Sequence, residues 1–526
     1  MAPSSTSANT NQTDLLQHPL QAIQMAIGGA TGESRGNRMS HMMSANEGPA
    51  DIAAKITGAV QGGKREDDGA YFTNNEGHPF PDPGAFGHFE TTKDVSELTK
   101  ANFLSSVGEK TPIFIRFSTV TLGREFPDEA RNPRGFAIKF YTLEGNYDIV
   151  GLNFPVFFCR DPIQGPDVIR SQSRNPKNFL LDYDATFDLL ANTPEGVNKE
   201  GKCVYIKYHF IAKHGQKQFT EPEAIRISGE DPDYSKRDLW EAIEAGEEIE
   251  WTANVQVMQP EDADPNILGF DPFDVTKVWP RGQFPMQEFG RLVLNKNPEN
   301  FHRDVEQAAF SPGSMVPGIE DSPDPLLQFR MFFYRDAQYH RIGVNLHQIP
   351  VNCPFMAQSY SSLNFDGPMR VDANHAGNKQ YAPNSFAHKF RPDAAEAPYT
   401  VSDNIVSRKS HYYHEGKVSE YDQPRELYRR VMSESQRANL HHNTAKMLSH
   451  VNYPIIQKKY LAQIYNIAPE YSRGVYDLTN YKNGRFDYSE VEELAKGAEV
   501  WYKEPKFRPS NGERLVGFQP QGAVYN

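Results

Sequence analysis

The amino-acid sequence predicts an α+β protein with an antiparallel barrel or sandwich, a long connecting segment and a C-terminal helical region. Between residues 84 and 294, short aromatic and β-branched runs alternate with Gly, Pro and Asn, and few helical patterns separate them. Residues 374–421 are polar and show little periodicity. After residue 422, apolar residues recur at helical intervals. The 526 residues are enough to build a large core.

Besides the C-terminal helical region, the sequence divides into four predicted segments. Residues 1–70 are rich in Ser, Asn, Gly and Met with only short apolar runs, so we predict an extended arm that a neighbouring subunit could order. The barrel region follows at 71–373. Residues 374–421 are predicted to be a wrapping connection, and residues 480–526 are predicted to be a polar and aromatic tail.

The barrel region contains five runs with the composition of β-strands, bounded by turn-forming residues. One helix is predicted inside it at Asp238–Ala245, because Gly246 is placed to end that pattern. The predicted strands are Pro112–Val120, Gly135–Tyr141, Cys203–Ile211, Trp251–Met258 and Gly290–Leu294.

The C-terminal helical region, 422–479, carries recognisable helix start signals. Pro424 stands in a first turn, where its missing N–H donor carries no penalty. Ser433 and Gln436 have the spacing of a capping box for the next helix. Pro454 interrupts the pattern and is predicted to precede a further helix. The apolar stripes of these helices indicate a packed core.

The formal net charge of −13 argues against a general attraction to nucleic acid or anionic membranes. No apolar run reaches the length of a membrane span, and the polar N-terminus lacks a secretory signal. The last residues, Gly522–Asn526, are not a peroxisomal tripeptide. We therefore expect an intracellular, cytoplasmic protein.

The three cysteines, Cys159, Cys203 and Cys353, are too far apart in sequence to suggest a paired disulfide framework or a metal-binding cluster. We expect each to be reduced, with the chemistry of the chain carried by other residues.

One stretch near the middle of the chain, Arg330–Arg341, places Tyr334 between two arginines. Neighbouring positive charge favours a phenolate over a phenol. An anionic tyrosine is one of the ligands that can hold haem iron, so Tyr334 is a candidate iron ligand. The alternative is an aromatic strand with solvated basic residues.

This stretch resembles the proximal haem-ligand motif of the haem catalases. Further segments resemble that family in the same order, and the resemblance runs from about residue 71 to about residue 465. It implies an antiparallel β-barrel core, a long wrapping segment, a C-terminal helical region and a homotetramer. The segments are Gly84–Glu90, Asn132–Ala137, Asp271–Pro280, Val305–Phe310 and Ile349–Pro354.

The resemblance implies a haem b group held from one side by four residues. Tyr334 would be the axial ligand of the iron, and Arg330 would be the partner of its phenolate. Arg341 and Arg116 would each meet a haem propionate. For Arg116, the alternative is an exposed strand arginine.

On the opposite, distal side, the sequence departs from the family. Its catalytic histidine position is Pro79 here, because the block around it is missing, and the nearest histidine is His78. The catalytic asparagine position is Leu152, followed by Asn153. Successive strand residues face opposite sides, so Asn153 is expected to face away from Leu152. His78 and Asn153 are the remaining candidates for a catalytic role.

Two further departures bear on the pocket. Phe329 and Phe333 stand where the family has small residues, so their rings are expected to change the packing on the proximal face. A second block is shortened between Leu190 and Lys202, in a region that in the family contributes to a dinucleotide site. The resemblance therefore does not support bound NADPH.

Three functions are compatible with the sequence. The first is a haem-dependent catalase-like oxidoreductase that oxidises an organic intermediate of a specialised-metabolite pathway, such as indole-alkaloid biosynthesis. The second is a non-catalytic accessory or assembly protein with the same fold. The third is ordinary hydrogen peroxide dismutation. The expected partners are a small-molecule substrate or peroxide and copies of the same chain.

Overall fold

The computed structural model describes residues 83–357, with gaps mainly within 120–132, 160–181 and 193–204, and residues 421–497. The predicted N-terminal arm, His78, and nearly all of the predicted wrapping connection lie outside the described residues.

Seven antiparallel strands form one curled sheet, a half-barrel, in the order β4-β3-β2-β1-β7-β6-β5. The five predicted strands are confirmed as β2, β3, β5, β6 and β7, whereas β1 and β4 were not predicted. The strands are β1 (Gly84–Thr91), β2 (Lys110–Thr119), β3 (Arg134–Thr142), β4 (Gly145–Leu152), β5 (Tyr205–Ala212), β6 (Ile249–Met258) and β7 (Gln287–Lys296).

One face of this sheet carries the main hydrophobic core. Phe89, Ile113, Ile138, Leu292 and Leu294 are almost completely buried there. Burying one such side chain stabilises the folded state by about 1.5–3 kcal/mol, so these contacts hold the strands together.

The predicted helix is confirmed as α3, which ends just before Gly246, a residue in the left-handed conformation (φ 83°). The structure describes nine α-helices over their full length. None of them is both long and apolar enough to cross a membrane, as far as the chain is described. The helices are α1 (Tyr183–Asn192), α2 (Glu221–Glu230), α3 (Tyr234–Glu244), α4 (Pro325–Arg341), α5 (Asp422–Glu426), α6 (Glu434–Leu448), α7 (Pro454–Ile467), α8 (Pro469–Leu478) and α9 (Tyr488–Gly497).

Helix α4 contains the arginine-flanked tyrosine, so the alternative of an aromatic strand is wrong. Asp324 caps the helix: its carboxylate accepts a hydrogen bond from the backbone N–H of Leu326 at 2.9 Å. Pro325 fits the first turn because its missing N–H is not needed there. His340 and Arg341 stand in the last turn, where positive charge is favoured by the helix dipole.

The C-terminal helices form a second core. The predicted starts are confirmed: α5 begins at Asp422, Ser433 and Gln436 form a capping box before α6, and α7 begins at Pro454. Helix α9 contributes buried residues to the same core, so the helical packing continues past residue 479 to Gly497. Helix α1 also joins this core through Phe187 and thereby links it to the rest of the fold.

Candidate functional site

A pocket lies between helix α4 and the half-barrel. Its empty volume is about 650 Å³, including the part open to solvent. All four residues predicted to hold haem line it. The lining residues are Arg116, Ser118, Gly135, Phe136, Ala137, Val150, Gly151, Leu152, Phe157, Phe158, Ala308, Phe310, Arg330, Tyr334, Ala337, Gln338 and Arg341.

Strands β2, β3 and β4 build one wall of the pocket, which we call the sheet wall. Pairing across these strands aligns six lining residues in two rows, because every second residue of a strand faces the same side. The first row is Arg116, Ala137 and Val150, and the second row is Ser118, Gly135 and Leu152.

Helix α4 builds the opposite wall, the helix wall. Arg330, Tyr334 and Gln338 are four residues apart, and Arg341 follows three residues later. Residues at these spacings share one face of a helix. The helix therefore presents a phenol, an amide and two guanidinium groups to the pocket.

Arg330 lies beside Tyr334. Its guanidinium carbon is 5.3 Å from the centroid of the Tyr334 ring and 5.3 Å from that of Phe157. Its Nη2 donates a hydrogen bond to the backbone carbonyl of Val150 at 2.8 Å, which fixes the helix wall to strand β4. Tyr334 itself is buried and packs against Val150 and Phe333. The guanidinium of Arg330 therefore places a positive charge next to the Tyr334 ring.

Two arginines from different elements meet at one end of the pocket. Arg341 donates from Nη1 and Nη2 to the backbone carbonyls of Glu306 and Ala308, both at 2.8 Å. Burial, with a smaller contribution from the charge of Arg116, lowers the pKa of Arg341 to about 9. Arg116 is buried, with its guanidinium carbon 5.8 Å from the centroid of the Phe310 ring. This end is suited to an anionic group.

Gln338 is a further polar group of the pocket that the sequence did not predict. Its Nε2 donates a hydrogen bond to the backbone carbonyl of Phe310, which leaves Oε1 as an acceptor. Oε1 is buried and has no hydrogen-bond partner among the described residues. Recognition of α4 as a helix would have identified Gln338, because it lies one turn beyond Tyr334.

The other predicted candidates lie elsewhere. Asn153 is exposed and does not line the pocket: its Oδ1 accepts from the backbone N–H of Arg134 at 2.9 Å. Its position therefore gives no support to a catalytic role. Leu152 occupies the sheet wall in its place, as the alternation of strand residues predicted. His78 lies outside the described residues.

The residues of the pocket fit an iron porphyrin. No group of three or more His, Cys, Asp or Glu side chains is placed to hold a metal ion in the part of the chain that the structure describes. Tyr334 offers the oxygen ligand, Arg116 and Arg341 suit carboxylate groups, and Gln338 Oε1 offers a buried acceptor.

Comparison with protein-family models matches most of the chain to two families. The model described as Catalase matches residues 82–199 and 196–388. The model described as Catalase-related immune-responsive matches residues 414–479. The pocket lies within the first match.

Similar proteins of known name are catalases. The catalase of Methanosarcina barkeri is 42% identical over 78% of this chain and 85% of its own length. The peroxisomal catalase of Toxoplasma gondii is 41% identical over 74% of this chain and 83% of its own length.

Among solved structures, catalase A from Saccharomyces cerevisiae superimposes with a TM-score of 0.68 at 35% sequence identity. It covers 77% of this chain and 91% of its own. A fungal catalase superimposes with a TM-score of 0.67 at 34% identity, covering 80% and 88% of the two chains.

Proposed function

The chain belongs to the catalase family of haem oxidoreductases, and on that premise we propose that it binds haem b through Tyr334 and uses peroxide to oxidise a small organic substrate. Members of this family generally bind haem with iron, use peroxide as substrate and are typically tetrameric. The observation that carries the proposal is that Tyr334, Arg330, Arg116 and Arg341 line one pocket whose sheet wall is largely apolar.

The helix wall would hold the iron. Haem, when bound, supplies the oxidising chemistry that peroxide drives. Tyr334 would provide the protein ligand through its phenol oxygen, and Arg330 would place a positive charge beside the Tyr334 ring. The hydrogen bond from Arg330 to Val150 holds the guanidinium in this position.

The arginine end would hold the porphyrin carboxylates. Arg116 and Arg341 would each pair with one of them, and this pairing would offset the unfavourable burial of the two charges. A carboxylate beside Arg341 favours its protonated form, so binding would raise its pKa from about 9.

The residues that line the pocket favour oxidation of an organic substrate over rapid peroxide dismutation. Dismutation needs a base that takes a proton from peroxide and returns it, which is worth roughly 100 to 10,000-fold in rate. Among the described residues, no histidine, aspartate or glutamate lines the pocket. Leu152, Phe157 and Phe158 instead offer apolar surface that suits an organic molecule. Nothing in these residues points to a particular metabolic pathway.

The proposal is tested with the purified full-length protein. We expect a haem Soret band, slow oxygen release from peroxide and faster peroxide-dependent oxidation of a phenolic dye. Protein that binds no haem would overturn the proposal and favour a non-catalytic role.

A tyrosine variant tests the ligand. Tyr334→Phe should lose most of its haem because the phenolate oxygen is removed. Tyr339→Phe is the matched control, since Tyr339 is on the same helix but does not line the pocket. Haem content is measured by the Soret absorbance of each purified variant. Full haem in Tyr334→Phe would exclude Tyr334 as the ligand.

Ordinary hydrogen peroxide dismutation is the second candidate, because the similar proteins at 41–42% identity are named catalases. It would require a base on the distal side, and His78 is the nearest histidine in the sequence to the missing block. Rapid oxygen release that is lost in His78→Ala would favour dismutation. Slow release in both proteins would favour oxidation of an organic substrate.

A further inference from the structure

We propose that Asn352 is a positioning residue for Arg341: its side-chain amide holds the backbone segment whose carbonyl groups set the direction of that guanidinium. This inference rests on the proposed function, which assigns Arg341 to a porphyrin carboxylate. Asn352 is only 1% exposed, and it does not line the pocket. Its effect on a bound group would therefore pass through Arg341.

The segment that Asn352 holds, residues 306–310, borders the pocket with Ala308. The backbone carbonyls of Glu306 and Ala308 accept hydrogen bonds from Arg341 Nη1 and Nη2, each at 2.8 Å. The donors of a guanidinium form a rigid planar fork, so two such bonds fix the plane of the group as well as its position. A movement of this segment would thus turn Arg341 within the pocket.

The amide of Asn352 bonds to the backbone on both sides of Ala308. Its Oδ1 accepts from the N–H of Ala309 at 2.8 Å, and its Nδ2 donates to the carbonyl of Gln307 at 2.9 Å. A backbone N–H only donates and a carbonyl only accepts, so these two partners fix which way round the amide lies. The carbonyl of Ala308 is therefore held in its direction towards Arg341.

Asn352 is itself fixed by its own backbone. Its N–H donates to the carbonyl of Ile349 at 2.9 Å, which closes a short turn, Pro350–Asn352. Its carbonyl accepts from Nδ2 of Asn146, on strand β4, at 2.9 Å. A series of hydrogen bonds thus runs from a strand of the sheet wall, through Asn352 and the segment 306–310, to Arg341 on the helix wall.

The carbonyl groups also affect the charge of Arg341. Burial lowers its pKa to about 9, whereas hydrogen bonds to the charged form of a group favour that form. The carbonyls of Glu306 and Ala308 therefore support the cation that a carboxylate needs. Loss of their alignment should weaken both the direction and the charge of the guanidinium.

Haem affinity, measured by Soret titration of the full-length protein, tests the inference without relying on activity. We expect Asn352→Ala to weaken haem binding about tenfold, as the loss of one hydrogen bond to a charged group does. In an Arg341→Met background, the same substitution should weaken haem binding less than about twofold, because no guanidinium remains to be positioned. An equal loss in both backgrounds would show that Asn352 only supports the fold.

The pH profile gives a second readout that a purely structural role would not move. The fall in haem affinity with rising pH, expected above about pH 9 in the wild type, should begin at a lower pH in Asn352→Ala. The reason is that the carbonyls no longer support the cation of Arg341. An onset at the wild-type pH would contradict the proposal.

Asn352→Asp provides a milder variant that remains informative if Asn352→Ala does not fold. A protonated carboxyl group can make both bonds of the amide, whereas a carboxylate only accepts and loses the bond to Gln307. Relative to the wild type, haem affinity should be unchanged at about pH 5 and lower at about pH 8. In an Arg341→Met background this difference should disappear. Its persistence there would overturn the role of Asn352.

Gln457 provides the matched control, because it is a buried amide far along the chain in the C-terminal core. Its Nε2 donates to the backbone carbonyls of Leu448 and Val451 at 3.3 and 3.0 Å. Gln457→Ala should bind haem like the wild type. A loss equal to that of Asn352→Ala would show that the titration reports general destabilisation, which would overturn the proposal.

The outcomes separate the two proposals. Haem binding by the wild type, with equal effects of Asn352→Ala in the presence and absence of Arg341, would overturn the role of Asn352 and leave the proposed function standing. Absence of haem from the wild-type protein would instead overturn the proposed function itself.

Discussion

At the residue scale, Arg341 links the charge of the pocket to pH. Its folded pKa, about 9, lies well below the ordinary value for arginine because burial and Arg116 disfavour the cation. The folded protein without ligand therefore holds this proton less tightly than the unfolded chain. Its stability should rise as pH increases above about 9.

An anionic ligand needs the charged form of Arg341. We expect haem affinity to fall by up to about tenfold per pH unit above pH 9 in the wild type, because the guanidinium must regain its proton on binding. Arg341→Met should bind haem more weakly at neutral pH, and its haem affinity should fall less than that of the wild type above pH 9. Soret titrations at several pH values measure both. Identical pH profiles would show that another group causes the fall.

Lys139 and Asp148 form a buried ion pair of adjacent strands, with Lys139 Nζ 2.6 Å from Asp148 Oδ1. Asp148 Oδ2 also accepts from the backbone N–H of Ser311. Lys139→Met should lower the free energy of unfolding by about 3–5 kcal/mol, because it leaves a buried carboxylate without its cation. Urea denaturation measures the change.

Two comparisons check the explanation for this pair. Lys213 Nζ lies 2.9 Å from Glu250 Oε2, but the Lys213 side chain is largely exposed. Lys213→Met should therefore lower the free energy of unfolding by less than about 1 kcal/mol. The double variant Lys139→Met with Asp148→Leu should recover much of the lost stability. A double variant as unstable as Lys139→Met would mean that shape, not charge, is responsible.

At the element scale, the N-cap of helix α4 should respond to pH. Burial raises the pKa of Asp324 from 3.8 to about 6, despite opposing hydrogen bonds from Leu326 and Leu327. A raised carboxyl pKa means that the folded state binds the proton more tightly, so this group stabilises the fold at low pH. That contribution is lost as pH rises through about 6.

Asp324→Asn should therefore stabilise the protein above the pKa of Asp324. Asparagine keeps an acceptor for the N–H of Leu326 but carries no charge, so the gain should reach roughly 3 kcal/mol at about pH 8 and vanish at about pH 4. Urea denaturation at both pH values tests this. Asp94 is the control: hydrogen bonds from Ser96 lower its pKa, so Asp94→Asn should give no such gain. Loss of stability at pH 8 in Asp324→Asn would contradict the explanation.

Strand β4 and helix α4 were missed for related reasons, because charged or polar residues of each make contacts that the local sequence pattern does not show. Strand β4 contains Asp148, a residue that strands disfavour, and its pairing with Lys139 is a contact that local composition does not show. Helix α4 was missed because its pocket face carries Arg330, Tyr334 and Gln338, so polar residues point inward and obscure the amphipathic pattern.

The residues at the site were predicted better than the elements that carry them. Tyr334, Arg330, Arg341 and Arg116 were each identified, and the structure brings all four to one pocket. Gln338 was missed because helix α4 was not recognised in the sequence, and its position one turn beyond Tyr334 has meaning only on a helix.

At the scale of the whole molecule, helix α1 connects the C-terminal core, through Phe187, to a small cluster of Cys159, Val168 and Leu326, through Leu189. Phe187 is almost fully buried in the C-terminal core, where its ring meets that of Tyr460 edge-on at a centroid distance of 4.9 Å. Phe187→Ala should destabilise the protein by about 3–5 kcal/mol because it opens a cavity. Hydrogen exchange should then speed up in α1 and in the C-terminal helices before it does so in the sheet.

Leu190 provides the control on the same helix, since it is 46% exposed. Leu190→Ala should change exchange rates little. Equal effects of the two substitutions would show that α1 does not hold the C-terminal helices in place.

The two walls of the pocket come from distant parts of the chain, and this has a consequence for biosynthesis. Strands β2, β3 and β4 of the sheet wall follow one another in the chain, within residues 110–152. The contacts between them are therefore local in sequence, and we expect them to form early. The helix wall, Pro325–Arg341, leaves the ribosome much later. On the proposed assignment of Tyr334 as the iron ligand, haem would bind only after helix α4 has been synthesised, so it would not guide the first steps of folding.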